Sequence, residues 1–234
     1  MTMMYQKDTA RRFNIELTDH ECGAFETYAN ALIKANTEIN LTSITEPENI
    51  KNKHVLDSLA LIPHIPKDAR TCIDVGSGAG FPGMALAIVK PDLRVTLLEA
   101  TKKKASFLED VAETLDLKNV SVVAERAEVA GTDILYREQF DVAVARAVAS
   151  LPTLVEYLLP FVKVGGIILA PKIAYEEELE SAQSAITVLG GMVSRIEVVA
   201  VADVPTKYIV VIEKISPTPE TYPRKPGRPA KRPL

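Results

Sequence analysis

The sequence predicts an α/β protein: an open sheet of five parallel strands, extended by an antiparallel C-terminal hairpin and preceded by a helical region. Three observations carry this. From about residue 70, strand-like and helix-like segments alternate, a pattern that means parallel strands joined by right-handed crossovers. A turn with glycine at alternate positions, Gly76-Ser-Gly78-Ala-Gly80, separates the first such strand from the helix after it. Only Asp203–Pro205 joins the last two strand-like runs, and so short a connection makes that pair antiparallel.

Residues 1 to about 66 read as helical. Thr18-x-x-Glu21 is a capping-box pattern, and Phe25, Tyr28, Leu32 and Ile33 follow at helical spacing to give one apolar face. Asn40–Asn49 (NLTSITEPEN) is turn-like. A second helix is expected from about Glu48 to Ile62, and Pro63 and Pro66 close the region. Strands are expected at Thr71–Val75, Val95–Glu99, Val120–Ala124, Asp141–Val144 and Ile167–Ala170, with helices at about 82–90, 103–116, 151–161 and 174–189. Met192–Ala202 and Thr206–Ile215 are the two arms of the hairpin. The chain thus divides into a helical region (1–66), an α/β domain (67–215) and a tail (216–234).

Composition narrows the function classes. With 47% hydrophobic and 25% charged residues in 234, the chain is ordinary globular material. It has no apolar run of membrane-span length, and its N-terminus (MTMMYQKDTARR) has no apolar signal-peptide centre, so a soluble cytoplasmic protein is expected. Cys22 and Cys72 lie far apart and read as structural thiols, and His20, His54 and His64 have no metal-ligand spacing, so no metal is expected. The net charge of −4 is uneven. From Ser216 on, Arg224, Lys225, Arg228, Lys231 and Arg232 face the single acid Glu220, which puts about +4 on the tail and about −8 on the rest. Six prolines favour an extended tail, either a disordered terminus or a basic arm for phosphates; composition does not choose between them.

The glycine-rich turn poses the question of which cofactor. Gly78-Ala-Gly80-Phe-Pro-Gly83 satisfies GxGxxG literally, a weak dinucleotide signal, but Asp74 would push negative charge towards a pyrophosphate. The better frame is Asp74-x-Gly76-x-Gly78-x-Gly80. Its backbone can approach the amino-acid end of S-adenosylmethionine, and the nearby acid favours a sulfonium cation. Glu99, ending the second strand, suits the ribose hydroxyls of either cofactor, while Ala127 and Glu128 follow the third strand where methyltransferases hold adenine. Arg146 ends the fourth strand, on the side where ligands bind in open α/β sheets. Five parallel strands followed by a hairpin is the arrangement of class I S-adenosylmethionine-dependent methyltransferases, whereas dinucleotide-binding dehydrogenases usually keep a parallel sixth strand.

Taken together, Asn40-Leu-Thr42, His54-Val-Leu-Asp57-Ser58, DVGSGAGFPG, Arg126-Ala-Glu128, Arg146-Ala-Val-Ala149, Gly165-Gly166 and the ending YPRKPGRPAKRPL resemble the RsmG (GidB) family of 16S ribosomal RNA guanine-N7 methyltransferases. The resemblance covers most of the chain. It implies cofactor contacts at Gly76, Phe81 (a place often held by leucine), Ala127, Glu128 and Arg146, a product S-adenosylhomocysteine, and 16S RNA or the small ribosomal subunit as partner of a monomer. Guanine N7 has an in-plane lone pair and no proton to lose, so no general base is needed and catalysis reduces to positioning. Arg146 is assigned that role. Asn40, His54, Asp57 and Ser58 are candidates for the substrate-facing wall, with capping or a helix-surface pair as their plain structural alternatives. Lys172 and the tail's Arg224, Lys225, Arg228, Lys231 and Arg232 are the expected phosphate contacts, beside a scattered rim of Lys51, Lys53 and Lys102–Lys104. The competing readings are an NAD-dependent oxidoreductase, a non-catalytic RNA- or ribosome-binding protein, and a methyltransferase for a small molecule or protein.

Overall fold

The structure is a computed structural model that describes residues 10, 13–199 and 206–234. Its centre is a seven-stranded sheet: β1 (Thr71–Val75), β2 (Arg94–Leu98), β3 (Val120–Val123), β4 (Phe140–Val144), β5 (Val162–Lys172), β6 (Gly191–Val199) and β7 (Lys207–Lys214), in spatial order 3-2-1-4-5-7-6. The first five strands pair in parallel, and β7 enters antiparallel between β5 and β6. The hairpin register runs from Gly191 opposite Lys214 to Val199 opposite Lys207. The expected arm residues Ala200–Ala202 and the Asp203–Pro205 connector lie outside the described residues. β5 is much longer than the expected Ile167–Ala170, because Gly165 (φ +86°) lets the chain turn within it and restart pairing beyond a bulge opposite β4.

Each face of the sheet has its own apolar cluster. One joins β1, β2 and β4 to the helices Gly83–Val89 (α4) and Lys102–Thr114 (α5), and also to the N-terminal helix Asp19–Ala35 (α1). Phe25, Tyr28 and Leu32 of α1 are buried as their spacing predicts, and Ile33 lies half-buried at the edge of the stripe. The Thr18 capping box closes in both directions: Glu21 N donates to Thr18 Oγ1 at 3.2 Å, and Thr18 N donates to Glu21 Oε2 at 2.7 Å. The helical region therefore shares the sheet's own core. The second cluster packs Leu151–Leu158 (α7) and Glu176–Val188 (α8) against β4, β5 and β7.

The expected helix over 48–62 is a broken rod. Pro47–Ile50 (α2) passes into a π-helical stretch, Lys51–Leu56, then a short α-turn, Asp57–Leu59 (α3), and a 3-10 turn at Ile62–His64. The short helix Ala127–Ala130 (α6) follows β3.

The tail corrects the sequence reading. It is neither extended nor a free arm, and in spite of its prolines it holds a helical turn, Arg228–Lys231 (α9), with Pro229 at a first-turn position where no N–H is needed. Arg137 donates to the carbonyls of Gly131, Thr218, Pro219 and Tyr222, and Thr153 Oγ1 to that of Pro229. Arg224 meets the fully buried Glu156 through both Nε and Nη2. Ten charged or polar groups in a row of prolines would favour solvent; the buried carboxylate is what draws the segment down. Glu156→Gln should cost about 3 kcal/mol, since it strands the guanidinium. Calorimetry reads this as a lower Tm, and trypsin should cut faster between residues 224 and 232 than in the parent protein.

Candidate active site

A cleft of about 910 Å³ opens at the carboxyl ends of the parallel strands, where the strand order reverses on either side of β1. It is lined by the glycine turn from Gly76 to Ala79, Phe81, Glu99, Arg146–Val148, Lys172–Ala174, and Thr42, His54 and Asp57 from the helical region.

The turn glycines have different tasks. All three adopt positive φ: +72° at Gly76, +57° at Gly78 and +95° at Gly80. A Cβ on Gly76 would lie 2.8 Å from Val148 Cγ2, and one on Gly80 would run into the Tyr28 hydroxyl and Leu108. Gly80 thus lets α1 dock, and the Tyr28 hydroxyl donates to the Ala79 carbonyl there. Gly78 alone faces open space, with nothing nearer than Gly76 O at 3.8 Å, so it is the point where a ligand can meet bare backbone.

Asp74 lies at the base of the turn, fully buried and not on the cleft. Its Oδ2 accepts from Gly83 N at 2.8 Å, fixing the start of α4, and Oδ1 has no partner. Burial pushes its pKa up to about 7. The expectation that Asp74 meets the cofactor's cation is corrected: the carboxylate braces the turn from below. Glu99 holds the turn from the other side. Its Oε2 accepts from Gly78 N at 2.9 Å and its Oε1 from Thr101 N at 2.7 Å, and each oxygen, on a residue that lines the cleft, can accept once more.

Arg146 is the hub of the opposite wall. Nη1 donates to the Lys53 carbonyl at 2.8 Å and to Asp57 Oδ2 at 3.0 Å, Nη2 to His54 Nδ1 at 2.6 Å, and the guanidinium lies 5.6 Å from the Phe81 ring centroid. Arginine has no acceptor, so Nδ1 must carry the lone pair and the His54 proton sits on Nε2, which donates to Thr42 Oγ1 at 2.9 Å. Burial first, then the Arg146 charge, lowers the His54 pKa to about 3, so the ring is neutral. Tyr28, Phe81 and His54 form a continuous stack with centroid spacings of 4.8 Å. Asp57 Oδ1 takes a second cation, Lys207 Nζ, at 2.6 Å.

The other expected site residues fall into two groups. Ser58 is buried and its hydroxyl donates to the His54 carbonyl at 2.6 Å, so it belongs to the helix and not to a substrate wall. Asn40 is exposed and does not line the cleft. Its neighbour in the loop, Asn36, does the organising, with Oδ1 accepting from Leu41 N and Thr42 N and Nδ2 donating to Thr42 O. Lys172 lines the cleft, but its ammonium is engaged by the Ala149 carbonyl at 2.9 Å and Glu178 Oε2 at 2.7 Å, and Arg224 is engaged by Glu156; neither is a free phosphate contact. Lys225, Arg228, Lys231 and Arg232 stay exposed, the last three bordering a recess of about 340 Å³. Ala127 and Glu128 stand after β3 at the same end of the sheet without lining the cleft, and the Glu128 carboxylate accepts from Gly227 N at 2.8 Å, tying the tail to that corner.

Sequence reasoning missed Lys207, Thr42 and Asn36. Lys207 had a readable signal: in an antiparallel last strand, the first residues return to the carboxyl end of β5, as the pairing of Lys172 with Tyr208 records. Among the described residues, no three His, Cys, Asp or Glu side chains gather as metal ligands, and no helix is long and apolar enough to cross a membrane.

A sheet ordered 3-2-1-4-5-7-6, with a glycine turn after β1 and an acid closing β2, is the class I methyltransferase architecture, and solved structures agree. An O-methyltransferase from Bacillus cereus in complex with SAH superposes over 80% of this chain and 91% of its own, with TM-score 0.56 at 16% identity. A 16S rRNA (adenine(1408)-N(1))-methyltransferase from Catenulisporales acidiphilia covers 64% of this chain and 87% of its own, with TM-score 0.52 at 15% identity. The antiparallel β7 argues against the dinucleotide-dehydrogenase alternative, which usually keeps a parallel sixth strand. The chain belongs to the GidB family, described as rRNA small subunit methyltransferase G, which matches residues 21–205. Ribosomal RNA small subunit methyltransferase G of Alkaliphilus metalliredigens is 46% identical over 99% of this chain and 98% of its own length, and that of Acetivibrio thermocellus 45% identical over 96% and 93%.

Proposed function

We propose that this protein is a cytoplasmic, monomeric enzyme that transfers a methyl group from S-adenosylmethionine to N7 of a guanine in 16S ribosomal RNA. The observation that carries the reading is the cleft itself, which joins an open glycine turn and Glu99 on one wall to a caged arginine on the other, in a chain of this family.

The residues present fit the cofactor. Gly78 offers bare backbone, Glu99 keeps lone pairs for ribose hydroxyls, and Gly76 and Phe81 complete the near wall. Ala127 and Glu128 are assigned backbone contacts to adenine, since the Glu128 carboxylate is engaged by the tail. When bound, S-adenosylmethionine supplies an electrophilic methyl on a sulfonium. Asp74, braced below the turn, acts on it only through the backbone that it holds.

The target atom needs no deprotonation, and the site matches that need. The His54 ring is neutral, with one nitrogen engaged by Arg146 and the other by Thr42, so it is unavailable as a base. Its task, with Asp57, is to hold the guanidinium over Phe81, where the fixed positive fork suits guanine O6 or an adjoining phosphate. His54 and Asp57 are thus positioning residues for Arg146. Lys53 and the half-buried Lys104 line the cleft mouth, and the exposed tail cations Lys225, Arg228, Lys231 and Arg232 offer phosphate contacts farther out.

Labelled S-adenosylmethionine offered with naked 16S RNA, small subunits and whole ribosomes tests the reading, with the methylated base mapped. A 7-methylguanine in 16S RNA is expected; label on an exocyclic nitrogen, a protein or no ribosomal component would overturn it. Gly78→Val should abolish measurable S-adenosylhomocysteine binding by calorimetry, because the side chain enters the cleft. The strain of a β-branched residue at positive φ costs only about 1–2 kcal/mol, so circular dichroism should still show a folded protein.

A further inference from the structure

We infer that Val148 and Ile173 form an apolar seat for the purine base that is methylated. This inference rests on the proposed RNA-methylating activity and assigns the substrate side of the same cleft. Large exposed hydrophobic side chains are scattered over the molecule, but among the described residues only these two also line the cleft, with Val148 36% and Ile173 65% exposed. Ile173 stands in water on a cleft whose lining is more apolar than polar, and an extruded base, which has lost its stacking partners, needs such surface.

The placement is built. Arg146-Ala-Val148 follows β4 and Ile173-Ala174 follows Lys172, the last residue of β5, so adjacent parallel strands deliver both side chains to one rim. Ala147 carries a positive φ of +56°, a conformation that non-glycine residues hold only when the surroundings impose it. That turn sends Val148 against Gly76, leaving its outer side open. The two loops are fastened to each other. Lys172 Nζ donates to the Ala149 carbonyl, and Glu178 Oε2 takes both Lys172 Nζ and, at 2.6 Å, Leu151 N. Lys172 is therefore the pin between two loops whose apolar residues face the ligand. Lys53 and Lys104, which make no ion pair among the described residues, line the same cleft and suit the phosphates either side of the base. A cavity of about 910 Å³ is near the top of the roughly 300–1,000 Å³ range for a single small ligand, which leaves space for a base beside the methyl donor.

The test compares the parent with Ile173→Ala, Ile173→Asp, Ile173→Leu and Val148→Ala, reading KM for small ribosomal subunits alongside S-adenosylhomocysteine affinity by calorimetry. The expected result for Ile173→Ala is a roughly tenfold rise in subunit KM at unchanged S-adenosylhomocysteine affinity. Ile173→Asp should be worse and Ile173→Leu near the parent. Ile173 is exposed, so these variants fold; Val148→Ala, which loosens packing on Gly76, is judged by its KM relative to its cofactor affinity. Subunit KM unaltered in Ile173→Asp, no recovery in Ile173→Leu, or a parallel loss of S-adenosylhomocysteine binding would each overturn the seat. Failure of the parent protein to methylate subunits at all would instead remove the reading on which it rests.

Discussion

Replacing Arg146 with alanine should reduce methyl transfer to small subunits by at least about 100-fold, the scale expected when a positioned contact is lost at a reacting centre. The side chain ties three groups of the helical region, the Lys53 carbonyl, His54 and Asp57, to the end of β4. Without it the His54 Nδ1 lone pair loses its donor and the Phe81 ring loses the cation over it. Asp57 still has Lys207, so the protein should stay folded, with a cost of about 1–3 kcal/mol for the stranded acceptors. Arg146→Lys is the informative companion. It keeps the charge but cannot serve both faces of the cage, so activity should stay close to that of alanine. Single-turnover kinetics read the effect, and a turnover within threefold of the parent in Arg146→Ala would remove this residue from the site.

Asp57→Asn should have the largest effect on stability. The carboxylate is shared by two cations, Arg146 at 3.0 Å and Lys207 at 2.6 Å, and its side chain is only 3% exposed. An amide leaves those cations facing each other with no counter-charge, which should cost about 3 kcal/mol or more and lower Tm by roughly 6–12 °C. Adding Lys207→Met removes one of the two opposed charges, so the double variant should recover part of that loss. Equal melting of the single and double variants would mean that the three groups do not act as one unit. The bridge also joins elements far apart in sequence, the start of α3, the end of β4 and the start of β7, so it couples the helical region to the sheet at the site.

What was legible in the sequence followed from short-range rules. The capping box, the helical spacing of Phe25, Tyr28 and Leu32 and the strand-helix alternation all act over a few residues and appear in the structure, as does the antiparallel pairing of the last two strands. Arg146 was legible because strand ends in an open parallel sheet converge on one side. The roles of Ser58, Lys172 and Arg224 were not, because each is a polar residue whose partner is distant or is a backbone group: the His54 carbonyl, Glu178 with the Ala149 carbonyl, and Glu156. Composition shows that a cation is present, and only packing shows whether a carboxylate already holds it. The tail is the clearest case, since its prolines and charges describe an unbound arm until the buried Glu156 and the Arg137 clamp are in view.

Sequence alone settled the class of sheet, the place of the glycine turn and the family, because periodicity, turn chemistry and motif order are local properties of a chain. Tertiary structure decided which residues face the cleft. It turned Asp74 inward under the turn, made His54 a neutral support, recruited Lys207 from the last strand and left Val148 and Ile173 bare at the rim. The physical reason is that desolvation and charge pairing depend on distance in space, and a fold brings together groups that the sequence keeps far apart.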